Sequence, residues 1–455
     1  MSVRVRFAPS PTGELHIGGL RTALYDWLWA RKQNGAFVLR IDDTDRTRFV
    51  DGAEERIVAF LSDFGLTPDE SPQIGGPYAP YRQSDRFAMY REAADRLLAS
   101  GACYRCFCTT ERIDAMQAAR RAQKLPPRYD RHCRSLTKVE SDRRALTEPF
   151  TIRIAMPDKE VVVHDELRGD VRFQPGSTDD TILIKSDGWP TYHIATIVDD
   201  YAMKISDVLR GEEWLPSLPI HKVIAEQLGY SQPRYYHTGL LVDAEGKKLS
   251  KRTGGATVAE WLQAGIPREA LLNVIARLGW DPQTNELLSL EQMVERFELS
   301  ALSTHSTMFS DTSFQHFTRE AFTKLSVEQL AQQWQPLAEL LPFDSEGVAF
   351  GFAKEEANSF HDITSEMKYW IDLKSGVLPR EQSDPLPEGF VSSLLETEDL
   401  SLWLKGLSKA TGLKGKELWM SLRRKITGRE HGPELIRICN YLGRERVLQL
   451  LQKLN

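Results

Sequence analysis

Two short segments carry side chains suited to handling a polyphosphate. The first is Ala8-Pro9-Ser10-Pro11-Thr12-Gly13-Glu14-Leu15-His16-Ile17-Gly18-Gly19, a Pro/Gly loop that closes on a histidine and two glycines. Glycine lets backbone approach a phosphate closely, and a helix opening there offers free N–H donors and the positive end of its dipole. A histidine in that turn can donate to a phosphate oxygen, although alone His16 reads as a helix cap or packing residue. The second segment, Gly246-Lys247-Lys248-Leu249-Ser250-Lys251-Arg252-Thr253-Gly254-Gly255, places four cations in six residues between glycines. A flexible cationic loop can close over a triphosphate and stabilise charge moving onto departing pyrophosphate, with no proton donor required. Alone it reads as a solvated loop. Together, about 230 residues apart, the two segments point to nucleotidyl transfer from ATP.

Elements of regular structure must bring these segments together. Val3-Arg4-Val5-Arg6-Phe7 alternates apolar and charged side chains, which predicts a strand. Leu20, Leu24, Trp27 and Leu28 recur at helical spacing, so a helix begins near His16. Phe37-Val38-Leu39-Arg40-Ile41 predicts a second strand, completing the βαβ unit of a parallel sheet. Residues from about 85 to 183 hold four of the five cysteines and a basic run, and read as an insertion between two halves of a nucleotide-binding fold. The sheet is expected to resume at Thr181-Ile182-Leu183-Ile184-Lys185. Helical patterns follow over 220–229, 259–264 and 267–279. Beyond about residue 317 the chain reads as helical, with a Pro/Glu/Ser/Asp-rich break at 378–389 that predicts a hinge between two helical subdomains.

Composition narrows the function class. The chain has 455 residues, 58 basic and 64 acidic, for a net charge of −6, and 41% apolar residues. That describes an ordinary globular chain of about three domains. No run approaches the roughly 18 apolar residues of a membrane span, and the start MSVRVRFAPSPTG lacks a secretory signal. Five cysteines do not make a disulfide framework and fit a reducing compartment. A cytoplasmic protein is therefore expected, with export, membrane insertion and indiscriminate coating of nucleic acid disfavoured. The charge is uneven, because residues 411–455 carry ten Lys/Arg against four Asp/Glu. A second basic run holds Arg120, Arg121, Lys124, Arg128, Arg131 and Arg134. Two such regions on an acidic protein are either solvated helical faces or local docking sites for one extended polyanion.

His16-Ile17-Gly18-Gly19 resembles the HIGH signature of class I aminoacyl-tRNA synthetases, and Lys248-Leu249-Ser250-Lys251-Arg252 resembles its KMSKS partner. RFAPSPTGELHIGG, LRIDDTD, KSDGWPTYH and VLRGEEWL together resemble the bacterial glutamyl-tRNA synthetases over nearly the whole chain, most closely in 3–82 and 180–260. The resemblance implies a Rossmann-type parallel-sheet catalytic domain in two halves, 1–84 and 184–242. An acceptor-stem-binding insertion at 85–183, a stem-contact region at 243–317 carrying the KLSKR loop, and an all-α anticodon-binding domain at 318–455 would complete the chain. It implies ATP-dependent activation of L-glutamate to glutamyl-adenylate, then transfer to the 3′-terminal adenosine of tRNA(Glu), with tRNA(Gln) as a further substrate to test. Mg²⁺ is expected on the ATP phosphates, and the chain is expected to act as a monomer.

By the same resemblance, Arg6, Ala8, Ser10, Asp42, Tyr192, Thr196 and Arg210 bind glutamate. Arg210 would grip the side-chain carboxylate, a contact that leaves a buried cation unpaired when glutamine enters; its alternative is an ion pair with Glu212, Glu213 or Asp207. His16, Gly18, Gly19, Glu213, Leu241, Lys248, Ser250 and Lys251 would face ATP, with His16, Lys248 and Lys251 catalytic. Arg423, Arg424 and Lys425 are candidate tRNA contacts. Gly19 stands where the signature ends in histidine, Asp42 where glutamate is frequent, and Thr196 where asparagine occurs. Cys106-Phe107-Cys108 and Cys133 have the spacing of a small zinc site, but Ser135 replaces the usual final histidine. His132 or Cys103 would then have to supply a fourth ligand.

Three other readings fit less well. A glutaminyl enzyme disagrees with Arg210 and with the helical C-terminal half. A non-catalytic tRNA-binding paralogue has no use for His16, Lys248 and Lys251 together. A small nucleotidylyltransferase has no need of the helical, basic C-terminal part. No arginine is evident around Phe350–Phe360 to read the last anticodon base, which leaves tRNA choice open.

Overall fold

The structure is a computed structural model that describes residues 2–48, 50–243, 245–249, 257–308, 312–355, 357–377 and 390–452. The chain divides into two compact units, one of residues 1–261 and 271–311, the other of 262–270 and 312–455.

The first unit opens with β1 (Arg4–Phe7), α1 (Ile17–Lys32) and β2 (Ala36–Leu39), followed by α2 (Ala53–Asp63) and α3 (Phe87–Ala99). β1 and β2 pair in parallel, Arg4 opposite Ala36 and Phe7 opposite Leu39. α1 crosses between them with Leu20, Leu24 and Leu28 fully buried, the face its periodicity predicts. Next come β3 (Cys103–Cys106), α4 (Thr110–Ala122), α5 (Lys138–Ala145), β4 (Thr151–Ile154), β5 (Val161–Asp165), β6 (Gly169–Phe173) and β7 (Ile182–Ile184). α6 (Tyr192–Ala202), β8 (Asp207–Gly211), α7 (Leu218–Leu228) and β9 (Arg234–Thr238) lead back to the parallel arrangement. β8 and β9 pair in parallel. β8 sits beside β1, where the Ser206 N–H donates to the Arg4 carbonyl at 2.9 Å.

One sequence expectation fails here. The apolar run Ile182–Ile184 is a strand, but β7 pairs antiparallel with β4 in the three-stranded sheet β3-β4-β7. The parallel sheet resumes only at β8. A short, fully buried apolar run reads the same in either kind of sheet, so its pattern cannot assign it.

The region after β9 is fastened to α1. β10 (Leu241–Val242) pairs with β11 (Thr307–Met308). The buried Arg21 of α1 donates to the Leu278 and Gly239 carbonyls at 2.9 and 2.8 Å, and the Tyr25 hydroxyl donates to the Ala276 carbonyl at 2.9 Å. Gly239 lies so close to the His305 carbonyl that an added Cβ would stand 1.9 Å from its oxygen. Only glycine permits that approach.

In the second unit every described element from Thr312 onward is helical. Its core is one cluster that includes Phe322, Ile363, Met367, Trp370, Trp403, Leu422 and Leu450. The proposed break at 378–389 lies outside the described residues. None of the described helices is long and apolar enough to cross a membrane.

Candidate active site

The proline-rich loop delivers His16 to the start of α1 as its N-cap, and the Gly18 N–H donates to His16 Nδ1 at 3.0 Å. Capping and a role toward phosphate are thus compatible, because an accepting Nδ1 places the neutral ring's proton on Nε2. His16, Gly18, Gly19, Glu213, Leu241 and Lys248 line one cleft of about 370 Å³, together with Gly211 and Leu240, which sequence reasoning missed. A Cβ on Gly19 would stand 3.0 Å from Leu15 Cδ1, so any larger side chain there must displace Leu15.

The cationic loop enters and leaves beside this cleft. Its near end is tied by Leu249 N–H donating to the Leu241 carbonyl at 2.9 Å, and its far end by Val258 N–H donating to the Leu15 carbonyl at 3.1 Å. Lys248 reaches into the cleft and pairs with Glu213 at 2.9 Å, both side chains partly exposed. An exposed pair of this kind is worth about 0–1 kcal/mol, so a phosphate can displace Glu213 at little cost. Ser250 and Lys251 lie outside the described residues.

The proposed amino-acid residues form a buried arrangement of arginines and acids. Arg6 donates Nε and Nη2 to Asp200 at 3.1 and 3.4 Å, and Arg40 bridges Asp42 and Asp200, each at 2.7 Å. Asp42 N–H donates to the Pro9 carbonyl at 3.0 Å, which sets the Ala8–Ser10 stretch against Asp42. Arg6 is therefore already compensated. Arg210 is not: it is 6% exposed, yet among the described residues no carboxylate lies within ion-pair distance of it. Its Nε donates to His237 Nε2 at 2.9 Å and its Nη1 to Tyr192 Oη at 2.7 Å, while Nη2 is buried without a hydrogen-bond partner. Glu212 pairs with Arg168, Glu213 with Lys248 and Asp207 with Arg234. The competing structural role for Arg210 has no support. Thr196, one turn after Tyr192 on α6, is buried with Oγ1 likewise unpartnered. Buried polar atoms are ordinarily paired, so two orphans on neighbouring elements leave polar groups for which the described residues supply no partner.

Burial pushes the Asp42 carboxyl up to about 6, although Arg40 pulls it back down. To hold an ammonium it must be ionised. Affinity for an amino acid should then be level above pH 6 and fall as pH drops through 6, by about tenfold per unit once Asp42 is mostly protonated. The bound ammonium favours the ionised form, so binding below that pH releases a proton. Calorimetric titration with glutamate in buffers of different ionisation enthalpy checks both, and an affinity level down to about pH 5 would remove Asp42 from this role.

The two basic runs are less available than their sequences suggest. In the insertion, Arg131 pairs with Asp158 and Asp180, Arg134 with Asp180, and Arg120 and Arg128 donate to backbone carbonyls. In the helical unit, Arg423 donates to the Pro433 carbonyl and Arg424 pairs with Glu430. Lys425 is only 4% exposed, too buried to offer its ammonium to a phosphate. Arginines from later in the chain lie near Phe350–Phe360. Arg437 pairs with Glu355 and lies over Phe352. Arg429 pairs with Glu366 over Tyr369, in the wall of a cleft of about 680 Å³ shared with Asn358, Asp362 and Trp370.

Cys106, Cys108 and Cys133 converge, their sulfurs all within 4.8 Å of one another. Neither Cys103, His132 nor Ser135 joins them. Tyr129 does: its hydroxyl lies 3.2 Å from Cys106 Sγ and 3.4 Å from Cys108 Sγ.

Comparison with known proteins identifies the family. A family model described as tRNA synthetases class I (E and Q), catalytic domain, matches residues 2–316, and one described as anticodon binding domain matches residues 391–454. The glutamate–tRNA ligase of Finegoldia magna is 36% identical over 482 aligned positions, covering 99% of each chain. That of Lysinibacillus sphaericus is 37% identical over 479, again covering 99% of each. A crystal structure of a glutamate tRNA ligase from Elizabethkingia meningosepticum in complex with its amino acid superposes with a TM-score of 0.86 at 32% identity, covering 100% of this chain and 99% of that one. The chain belongs to the class I tRNA synthetases of the glutamate and glutamine group.

Proposed function

We propose that this protein is a glutamate–tRNA ligase, which activates L-glutamate with ATP and transfers it to the 3′-terminal adenosine of tRNA(Glu). The observation that carries this reading is Arg210, a buried guanidinium with hydrogen-bonded anchors and, among the described residues, no carboxylate of its own. The glutamate side-chain carboxylate supplies the missing anion and Tyr192 flanks it. Asp42 takes the α-ammonium, and Ala8, Ser10 and Thr196 complete the walls. Glutamine in the same seat leaves the guanidinium without a counter-charge, and a site of that kind rejects the wrong ligand by about 10⁴-fold.

Glutamate's α-carboxylate oxygen attacks the α-phosphorus of ATP, and the bond to the departing pyrophosphate breaks. A ribose hydroxyl of the tRNA then displaces AMP from the mixed anhydride. Neither step needs a side-chain nucleophile, so positioning and charge stabilisation do the work. His16, Lys248 and Lys251 meet the phosphates, and Gly18 and Gly19 let backbone approach them. Glu213 releases Lys248 as ATP enters. Mg²⁺ would come in with ATP, held by phosphate and water and by none of the side chains assigned here, and would neutralise phosphate charge. The helical unit docks the anticodon arm, and Arg423 and Arg424 are its candidate phosphate contacts. The protein acts as a cytoplasmic monomer, with the insertion at 85–183 on the acceptor stem and the stem-contact region at 243–317 beside it.

Charging assays with separate tRNA(Glu) and tRNA(Gln) transcripts, each offered glutamate and glutamine, test the assignment. Attachment of glutamate to tRNA(Glu) is the expected result, and attachment of glutamine instead would defeat it. The tRNA(Gln) arm measures whether the protein rejects that tRNA.

The cysteine cluster fits zinc with Tyr129 as the fourth ligand. Tetrahedral zinc holding thiolates at about 2.3 Å spaces them roughly 3.8 Å apart, and Cys108 and Cys133 sulfurs stand 3.6 Å apart. Elemental analysis of protein purified without chelator should find close to one zinc per chain. Tyr129→Phe should weaken retention by about 10–100-fold in competition with a chromogenic chelator. Negligible metal in the wild-type protein would end the assignment.

A further inference from the structure

The support behind Arg210 comes from the inserted region. Asp165, the last residue of β5, is fully buried, and its Oδ1 accepts from the Leu167 and Arg168 backbone N–H groups at 3.0 Å each. Its Oδ2 accepts from His237 Nδ1 at 2.6 Å. His237, on β9, is also fully buried, and its Nε2 accepts from Arg210 Nε. The turn carrying Asp165 is itself clamped to β9. Glu166 N–H donates to the Tyr235 carbonyl at 2.8 Å, and Arg168 Nε donates to the His237 carbonyl at 3.0 Å.

A carboxylate only accepts, so Asp165 fixes the proton of His237 on Nδ1 and leaves Nε2 as a lone pair. That lone pair is the acceptor Arg210 Nε needs. The chemistry of the anchor matters as much as its position. A carboxylate touching the guanidinium would compensate its charge, as Asp200 does for Arg6. A neutral imidazole orients the guanidinium and leaves the positive charge for the ligand. Burial, helped by the Arg210 charge, holds His237 down to about 4 against the raising effect of its hydrogen bond to Asp165, so the ring is neutral at physiological pH.

We propose that Asp165 and His237 are positioning residues for Arg210: the carboxylate sets the imidazole tautomer, and the imidazole aims the guanidinium at the substrate's side-chain carboxylate. This rests on the reading above that Arg210 receives that carboxylate. It also gives the insertion a part in amino-acid selection.

The test measures kcat and KM for glutamate and for ATP by aminoacylation of tRNA(Glu), using the full chain and the variants Asp165→Asn, His237→Phe, His237→Gln and Arg210→Ala. With its oxygen kept on the two backbone N–H groups, Asp165→Asn turns an N–H toward His237 Nδ1. The imidazole proton then moves to Nε2, where it opposes Arg210 Nε–H. Asp165→Asn and His237→Phe should each raise the glutamate KM by about 10–100-fold, with ATP KM changed less than about threefold. His237→Gln, whose amide oxygen can stand near the Nε2 position, should recover most of the loss. If Arg210→Ala raises the glutamate KM while Asp165→Asn and His237→Phe leave it within about twofold, the relay is refuted and the reading of Arg210 stands. If Arg210→Ala has no effect on glutamate, the reading beneath the relay fails too. Equal changes in glutamate KM, ATP KM and melting midpoint would mark the pair as purely structural and overturn the proposal. Asp165→Asn is isosteric and keeps the test decisive should His237→Phe not fold.

Discussion

Arg210→Ala should raise the KM for glutamate by about 10²–10³-fold, the range for truncating one partner of a buried charge pair, while ATP binding is nearly unchanged. The same substitution should cost little stability. In an ordinary buried ion pair, removing one partner strands the other and costs about 3–5 kcal/mol. Arg210 strands no acid, since Glu212, Glu213 and Asp207 are held by Arg168, Lys248 and Arg234. What is lost is the hydrogen bonding at His237 and Tyr192. What is gained is relief from a buried charge that only the substrate neutralises. These opposing effects nearly cancel, so the melting midpoint of Arg210→Met, which keeps the volume, should stay within about 3 °C of wild type. Steady-state aminoacylation and thermal unfolding measure the two quantities. An intact glutamate KM together with a large drop in melting midpoint would show that Arg210 is a structural residue.

A buried charge retained at a cost to stability is the kind of departure from ordinary packing that a functional site produces. Part of it was legible in the sequence, because chemistry-bearing residues next to strong periodic elements are placed by them. His16 follows from an alternating strand and precedes a helix of period 3.6, so its position at the N-terminus of α1 could be deduced. Lys248 could be tied to it because a cationic Gly-flanked loop and a His-Gly turn have one common use. The partners of these residues were not legible. Asp165 and His237 are 72 positions apart and meet only through packing of an inserted hairpin against β9. Tyr129 joins the cysteines because the turn before Cys133 folds back over them, and a tyrosine in a basic run gives no hint of that. Arg437 comes to Glu355 from 82 positions later, and Arg429 shares a cleft wall with Phe352 and Asn358, proximities that only the packing of the helical unit creates. The pairing of the charge runs was hidden for the same reason. Arg131 and Arg134 read as either a solvated face or a docking site, and Asp158 and Asp180, which follow them in the chain, pair with them in the fold.

Lys251→Ala should slow formation of the adenylate by about two to three orders of magnitude, the scale for removing one preorganised stabiliser of transition-state charge, while tRNA binding survives. The warrant is where the loop's ends are held. Leu249 is bonded to β10, and Val258 to the residue before His16, so the intervening segment starts and finishes at the cleft that His16 lines. Charge develops on pyrophosphate only as its bond to the α-phosphorus breaks, and a cation that meets it then lowers the barrier without tightening ground-state ATP binding. Lys248 should matter less at that moment. It is paired with Glu213, so part of its interaction with phosphate replaces one with a carboxylate. Lys248→Ala should therefore show mainly in the KM for ATP, and Lys251→Ala mainly in kcat. ATP–pyrophosphate exchange with tRNA(Glu) present, run beside a filter-binding measurement of tRNA affinity, separates chemistry from docking. Exchange that continues at the wild-type rate in Lys251→Ala would take the loop out of catalysis.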